Sequence, residues 1–520
     1  MISDMTKGNP LKLIISFSVP MLIGNIFQQV YNFVDAAIVG KFVGAESLAA
    51  VGSTGTIVGV MICLMMGLTS GAGIIIAQCF GSRNFDELRK TVTGLIYIVG
   101  ILAVVTSVAG VVFSRPILSF LNTPDNVIDE AVAYINVIFA FTIGTAMYNA
   151  SSAILRSLGD SRTPLYALIL SSVLNVVFDL LFVVVFKTGV VGAAVATVIA
   201  QIISAIYCII HMVRHRRQLN LEGINFQTTK RAIKRIFQTG IPSALESCLI
   251  SLGTMSVQRL VNSFGAMTMA GYTAAVKIDS IAIAPIVSVG SALSVFSGQN
   301  IGANQMDRIK KGMYQTLASL IGICIVIAAG IVLFRNQLLG LFLDKTQAAE
   351  AIAIGSKYLT IVCVAYIVAA VMRTYLNVLR GAGDVNTSAV AGILELIGRI
   401  IFAYILVRPL GSTGIWIATP LAWAMGASVP VIRYYSGKWI NKKLVYKNGT
   451  FVPFFYTYSS TNFTVFFSEI GCNCDDNTNI FTFLALSFLS REIFVSSFIE
   501  SGTLSIPIIT PFSSYIAAYT

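Results

Sequence analysis

The chain has 520 residues, of which 56% are hydrophobic and only 11% charged, and its mean hydropathy is +0.81. Soluble domains carry about 25% charged residues, so a water-soluble globular protein is excluded. The formal net charge of +12 points to basic loops on the cytoplasmic side of a membrane, where Lys and Arg accumulate, and not to a nucleic-acid partner.

In chain order, the opening MISDMTKGNP lacks the basic, apolar and small-residue layout of a signal peptide, so the first span is expected to stay in the mature protein. A helix needs roughly 20 apolar residues to cross a bilayer core. Twelve such runs come after it, at 13–39, 53–80, 92–113, 131–155, 164–186, 189–213, 237–262, 272–297, 314–334, 351–379, 387–407 and 413–435. The fold class is therefore an all-α polytopic membrane protein. The loops between spans alternate in charge. One set holds Arg83, Arg89 and Lys90, then Arg156 and Arg162, the cluster from Arg214 to Arg235, Arg308, Lys310 and Lys311, and Arg380. The other set holds only Lys41, Arg115, Lys187, Arg335, Lys345 and Arg408. The positive-inside rule places the first set, and both ends of the bundle, in the cytoplasm.

Cys63, Cys79, Cys208, Cys248, Cys324 and Cys363 lie singly in apolar runs, where Cys behaves as a small hydrophobe. Cys472 and Cys474 form a lone CxC, weak evidence for a metal. His211 and His215 are the only histidines and fall in a basic stretch, where a solvated role is expected. With no HExxH and no partnered GxSxG, nothing points to an enzyme.

The chain repeats itself at an offset near 222 residues. SVPMLIGNIFQQ around Pro20 faces TGIPSALESCLI around Pro242, and FVGAESLAAV after Phe42 faces FGAMTMAGYT after Phe264. AQCFGSRN with Gln78 and Gly81 faces SGQNIGAN with Gln299 and Gly302. ILRSLGDSRT from Ile154 faces VLRGAGDVNT from Val378, and VGAAVAT from Val191 faces TGIWIAT from Thr413. These matches divide the chain into an N-terminal six-helix bundle (1–213), a basic cytoplasmic linker (214–236), a C-terminal six-helix bundle (237–445) and a tail (446–520). An even number of spans inserts both halves the same way, as pseudo-symmetric bundles of a parallel repeat. That is a transporter's layout, with substrate between halves that rock.

A charge within the membrane costs a few kcal/mol and needs a reason. Asp35 lies towards the outer end of the first span; Asn175 and Asp179 in the fifth are i,i+4 and share a helix face; Thr197 in the sixth adds a hydroxyl. Together these oxygens suit a proton or Na+. The alternative is that Asp35 is interfacial and the other two bond a neighbouring helix. The aligned second-half positions fall near Arg399, Ala403 and Ser256, so the repeat keeps the scaffold and not this set. Glu395 and Arg399, again i,i+4, read as an intrahelical pair. Lys277 and Asp279 are close enough in sequence to neutralise one another or to meet a substrate, and Gln28 is a further cavity candidate.

At these residues the chain resembles the multidrug and toxic compound extrusion (MATE) family of cation-coupled exporters, most nearly its bacterial DinF-like branch. The resemblance runs from about Asn9 to Lys443. It rests on VPMLIGNIFQQVYNFVDAAIVG, the doubled Q-x-x-G and L-R-x-x-G-D loops and the number of spans. It implies a pair of six-helix bundles exporting drugs or other amphipathic organic cations against Na+ or H+, as a monomer in the bacterial cytoplasmic membrane, with no cofactor beyond the coupling ion. By motif, the branch's cation site falls on Asp35, Tyr31, Asn175, Asp179 and Thr197, and its bend proline on Pro20. Other branches use an acid in the seventh span; Glu246 lies near that place but out of register, and their tenth-span Asp has no counterpart. A lipid-linked precursor flippase of the same superfamily is the competing reading; it needs a cationic cavity for diphosphate. After Lys443 the pattern stops. Residues 448–520 hold one basic residue, Arg491, and two sequons, Asn448 and Asn462, and read as an unrelated extension.

Overall fold

The computed structural model describes residues 3–120, 123–343 and 349–444. The expected tail, its sequons and the Cys472/Cys474 pair lie outside these residues. The first half comprises α1 (Pro10–Phe42), α2 (Ala45–Gly81), α3 (Phe85–Phe120), α4 (Asp125–Ala140), α5 (Thr142–Ser157), α6 (Arg162–Asp179) with a π turn over Leu180–Val185, and α7 (Gly189–Arg214). The second comprises α8 (Lys230–Asn262), α9 (Ala266–Ala282), α10 (Ala284–Gly302), α11 (Met306–Leu339), α12 (Ala349–Val364), α13 (Tyr366–Ala382), α14 (Asn386–Leu410) and α15 (Ser412–Tyr435). No strand occurs among the described residues.

Among the described residues nine helical stretches are long and apolar enough to cross a bilayer, and the bent pairs α4–α5 and α12–α13 bring the number to eleven. The 33-residue α8, diluted by Ser, Thr and Glu246, supplies the twelfth traversal. Local chemistry starts the key helices. Asn9 accepts the Lys12 N–H at 3.3 Å with Pro10 at the first helical position, and Thr229 accepts the Ala232 N–H at 3.2 Å. The latter cap begins α8 at Lys230, before the apolar run read from 237, because its basic first turns are helical too. Pro20 lies within a continuous α1, where its missing N–H leaves a carbonyl one turn earlier without its helical donor.

The repeat is visible in the helix breaks. Asp125, Phe141 and Arg162, which start α4, divide α4 from α5 and start α6, recur as Ala349, Ala365 and Asn386, each 224 residues on. The two bends are 49° and 45°.

Glycine sets the seam between the halves. A Cβ on Gly67 would lie 2.2 Å from Ala244 Cα and one on Gly71 2.4 Å from Gly240 N, so α2 and α8 touch backbone to backbone. At the loop end the doubled Q-x-x-G motifs interlock reciprocally. A Cβ on Gly81 would lie 1.8 Å from the Gln299 carbonyl oxygen, and one on Gly302 2.2 Å from that of Gln78. Gln78 Nε2 donates to Gly381 O at 2.9 Å, and Gln299 Nε2 to Ser157 O at 3.1 Å, each reaching the other half's L-R-x-x-G-D helix end. The segments flanking the two halves complete the symmetry: Met5 N donates to Gln299 Oε1 and Leu444 N to Gln78 Oε1, both at 2.9 Å. Met5 is fully buried, and Asp4 beside it pairs with Arg83 at 2.8 Å. Against the upward push of partial burial, the Thr6 hydroxyl and N–H and the Arg83 charge hold the Asp4 carboxyl below its ordinary range.

Candidate functional site

Asp179 ends the regular turns of α6. The π turn after it widens the helix there, a local re-aiming that favours functional positions. Asp179 is 0% and Asn175, one turn earlier, 2% exposed. Asn175 Nδ2 donates to Thr197 Oγ1 at 3.2 Å, tying α6 to α7. From α1, Asp35 brings its carboxyl group to that of Asp179, near enough for one, when protonated, to donate to the other.

What defines the place is an excess of acceptors. Both Asp179 carboxyl oxygens, Asp35 Oδ1 and Asn175 Oδ1 are buried without a hydrogen-bond partner among the described residues. Buried polar atoms in native proteins are nearly always satisfied, so a cluster of buried acceptors with no protein donor among the described residues calls for a proton or a cation. Two facing carboxyl groups cannot both stay ionised there unless positive charge joins them. The oxygen-only donor set suits a proton or a hard cation such as Na+ and not a soft metal. Among the described residues no group of three or more His, Cys, Asp or Glu side chains is placed to hold a metal.

Tyr31 stands one turn before Asp35, hydrogen-bonded with the exposed Gln28, in the electrostatic field of both carboxyl groups. Tyr134 of α4 shares that field, is nearly buried, and escapes sequence reasoning. Its only signal is the repeat, which sets it opposite Tyr358, 224 residues on.

The other candidates are held elsewhere. Glu246, 3% exposed, accepts from Arg380 at 2.6 Å and Arg373 at 3.4 Å, which makes it the buried centre of an ion-pair triad whose arginines are partly exposed. Lys277 and Asp279 do not neutralise one another, because residues two apart on a helix point to different sides. Lys277 Nζ lies over the rings of Phe33 (4.8 Å) and Phe342 (5.7 Å), bridging the halves. Asp279 accepts from the Tyr366 hydroxyl at 2.6 Å. Glu395 and Arg399 form the expected pair, at 2.6 Å. His211 is not a solvated linker residue: it sits in the last turn of α7, with Nε2 3.3 Å from Asp160 Oδ2 and its ring stacked on His215.

Comparison with known proteins points to one family over most of the chain. The MatE family model matches residues 20–181 and again 242–405, once in each half. The probable multidrug resistance protein YoeA of Bacillus subtilis is 30% identical over 442 residues, spanning 82% of this chain and 94% of the relative. YpnP of the same organism, also a probable multidrug resistance protein, is 29% identical, spanning 85% and 98%. A solved outward-facing multidrug resistance MATE transporter of the MOP superfamily superposes with a TM-score of 0.78 at 25% identity, covering 84% of this chain and 98% of its own.

Proposed function

The chain belongs to the MatE family of multi-pass membrane transporters and is not an enzyme, and on that premise we propose that it exports small organic compounds, amphipathic cations among them, in exchange for Na+ or H+. The observation that carries the exchange is the donor-free set of buried oxygens on Asp35, Asp179 and Asn175, braced by Thr197. An ion or proton neutralises the facing carboxyl groups. Its release restores charge that has to be rehydrated, which favours opening of the first half to water. Substrate and ion then compete for the same half, and the two halves alternate in access. The loop set rich in Lys and Arg supports a cytoplasmic side for the interlocked Q-x-x-G end, in the membrane of a bacterial cell.

A flippase of lipid-linked diphosphates needs free cationic groups, whereas Arg373 and Arg380 already share Glu246. Efflux of a cationic dye, followed in inverted vesicles under an imposed Na+ or pH gradient, tests the reading. Asp35→Asn and Asp179→Asn are each expected to abolish gradient-driven dye movement while the protein level is unchanged. Full activity in both variants removes the ion site proposed here.

A further inference from the structure

The second half carries the same scaffold with a different filling. By the repeat, Tyr134 and Thr197 correspond to Tyr358 and Thr419, so a tyrosine and a threonine are kept at matching places. Asn175 corresponds to Arg399 and Asp179 to Ala403. Acid is nevertheless present, supplied from other positions. Glu395 is 3% exposed and accepts from Arg399 Nη2 at 2.6 Å. Asp279, held by Tyr366, lies in the field of the Arg399 guanidinium, as do Tyr272 and Tyr358. Each half thus encloses two carboxyl groups and a tyrosine: Asp35, Asp179 and Tyr134 in one, Asp279, Glu395 and Tyr358 in the other. The difference is the positive charge. Among the described residues no Lys or Arg is paired to either carboxyl group of the first half's set; in the second, Arg399 is built in.

The surroundings are closed to match. Trp416 stands where the first half has Ala194. Its ring stacks on Tyr272 at 5.2 Å and meets Tyr358 edge-on at 5.3 Å, so the second half packs aromatic rings about its acids. A buried ion pair alone is a poor source of stability, since apolar residues of equal volume usually serve as well. Here the pair even leaves Arg399 Nε and Glu395 Oε2 buried without partners among the described residues. Charge balance is the property that an apolar replacement would lose.

We propose that the Arg399 guanidinium is a tethered cation taking, in the second half, the place that the exchangeable ion takes in the first, so that only one half exchanges ions. The inference rests on the ion-site reading of Asp35 and Asp179. It makes Arg399 the residue that sets how many ions the transporter binds. Arg399→Asn restores the amide found at Asn175 and leaves the acids of the second half without their cation.

Equilibrium binding of radioactive Na+ and proton uptake, measured on the purified full-length protein, decide the matter. R399N is expected to double the ion or proton equivalents bound. The gain should persist in D179N/R399N, disappear in R399N/E395Q, and be absent in R399K, which keeps a tethered charge. R399Q repeats the measurement with a longer side chain, so misfolding of one variant leaves the other to decide. A monodisperse R399N or R399Q that binds no more than wild type overturns the inference, and so does a gain of equal size in R399K. Wild-type binding that survives D179N would instead remove the first-half site, while the difference between R399N and wild type is still read.

Discussion

Replacing Gly81 by Ala is expected to force open the interlocked end of the seam while leaving each half folded. The added methyl would sit 1.8 Å from the Gln299 carbonyl oxygen, where ordinary contact starts at 3.4 Å, and the obstacle is backbone that cannot swing away. The two halves must part there by more than an ångström. Four hydrogen bonds cross or brace the place: Gln78 to Gly381, Gln299 to Ser157, Met5 to Gln299 and Leu444 to Gln78, at 2.9, 3.1, 2.9 and 2.9 Å. At about 1 kcal/mol net for each, their loss costs the closed arrangement up to about 4 kcal/mol. Partial relaxation reduces that figure, but even about 1.4 kcal/mol is a tenfold shift between closed and open populations. Cys79 is a native reporter, fully buried beside Gln78. Alkylation of Cys79 by a membrane-permeant maleimide, followed by peptide mass spectrometry, is expected to quicken at least about tenfold in G81A. Cys208 and Cys363, buried within their own halves, should keep their wild-type rates. A monodisperse G81A protein with Cys79 still protected and dye efflux unchanged would refute the view that this contact holds the seam.

Other substitutions separate ion chemistry from architecture. Glu246→Ala strands Arg373 and Arg380 without a buried counter-charge, so thermal unfolding in detergent should report a loss of roughly 3–5 kcal/mol; a wild-type melting curve contradicts the triad. Thr197→Val removes the acceptor of Asn175 at nearly constant volume and is expected to cost about 1–3 kcal/mol, much of it as a raised half-saturating concentration of the coupling ion for efflux. Thr197→Ser should restore it, and equal ion dependence in all three proteins counts against the Asn175–Thr197 contact. Deletion of 448–520 is expected to leave efflux intact at normal protein level; loss of transport without loss of protein shows that the tail takes part.

Much of the fold can be read from apolar run length, because a bilayer allows few alternatives to a spanning helix. Each of the runs read from the sequence lies on a helix or bent helix pair. The errors are at the ends. Asp86, Glu87, Arg89 and Lys90 extend α3 back to Phe85, and Lys230–Arg235 extend α8, because charged residues form helix readily once outside the hydrocarbon. The bends at Phe141 and Ala365 leave no mark, since neither is Pro or Gly. The π turn after Asp179 is equally silent, in a plain LLFVVV. Within the candidate site, the i,i+4 spacing of Asn175 and Asp179 is legible because the helix period forces it. The approach of Asp35 depends on how α1 packs against α6, which no local pattern encodes. Tyr134 is one of 19 tyrosines, and only its place on α4 distinguishes it. Lys277 and Asp279 mislead because adjacency along the chain is not adjacency on a helix surface.

A duplicated scaffold specifies positions and leaves their partners free, as the arginines of the two L-R-x-x-G-D loops demonstrate. Arg156 and Arg380 occupy matching last turns, at the ends of α5 and α13. Glu246, the acid that holds Arg380, has Gly24 as its counterpart at the offset that matches Pro20 with Pro242. There the missing side chain lets Leu168 and Leu165 of α6 close on α1, with a Cβ on Gly24 lying only 3.3 Å from Leu168. Arg156 is consequently without a carboxylate partner among the described residues, while its twin is neutralised. The other pair of matching places differs in the same direction: Asn175 leaves the acids Asp35 and Asp179 unpaired among the described residues, while Arg399 pairs Glu395. At both pairs of matching places the first half therefore leaves its charge centre open, among the described residues, and the second half neutralises it. That difference sets the electrostatics of the two halves apart on one repeated scaffold, which is how a symmetric frame can give its halves unequal work.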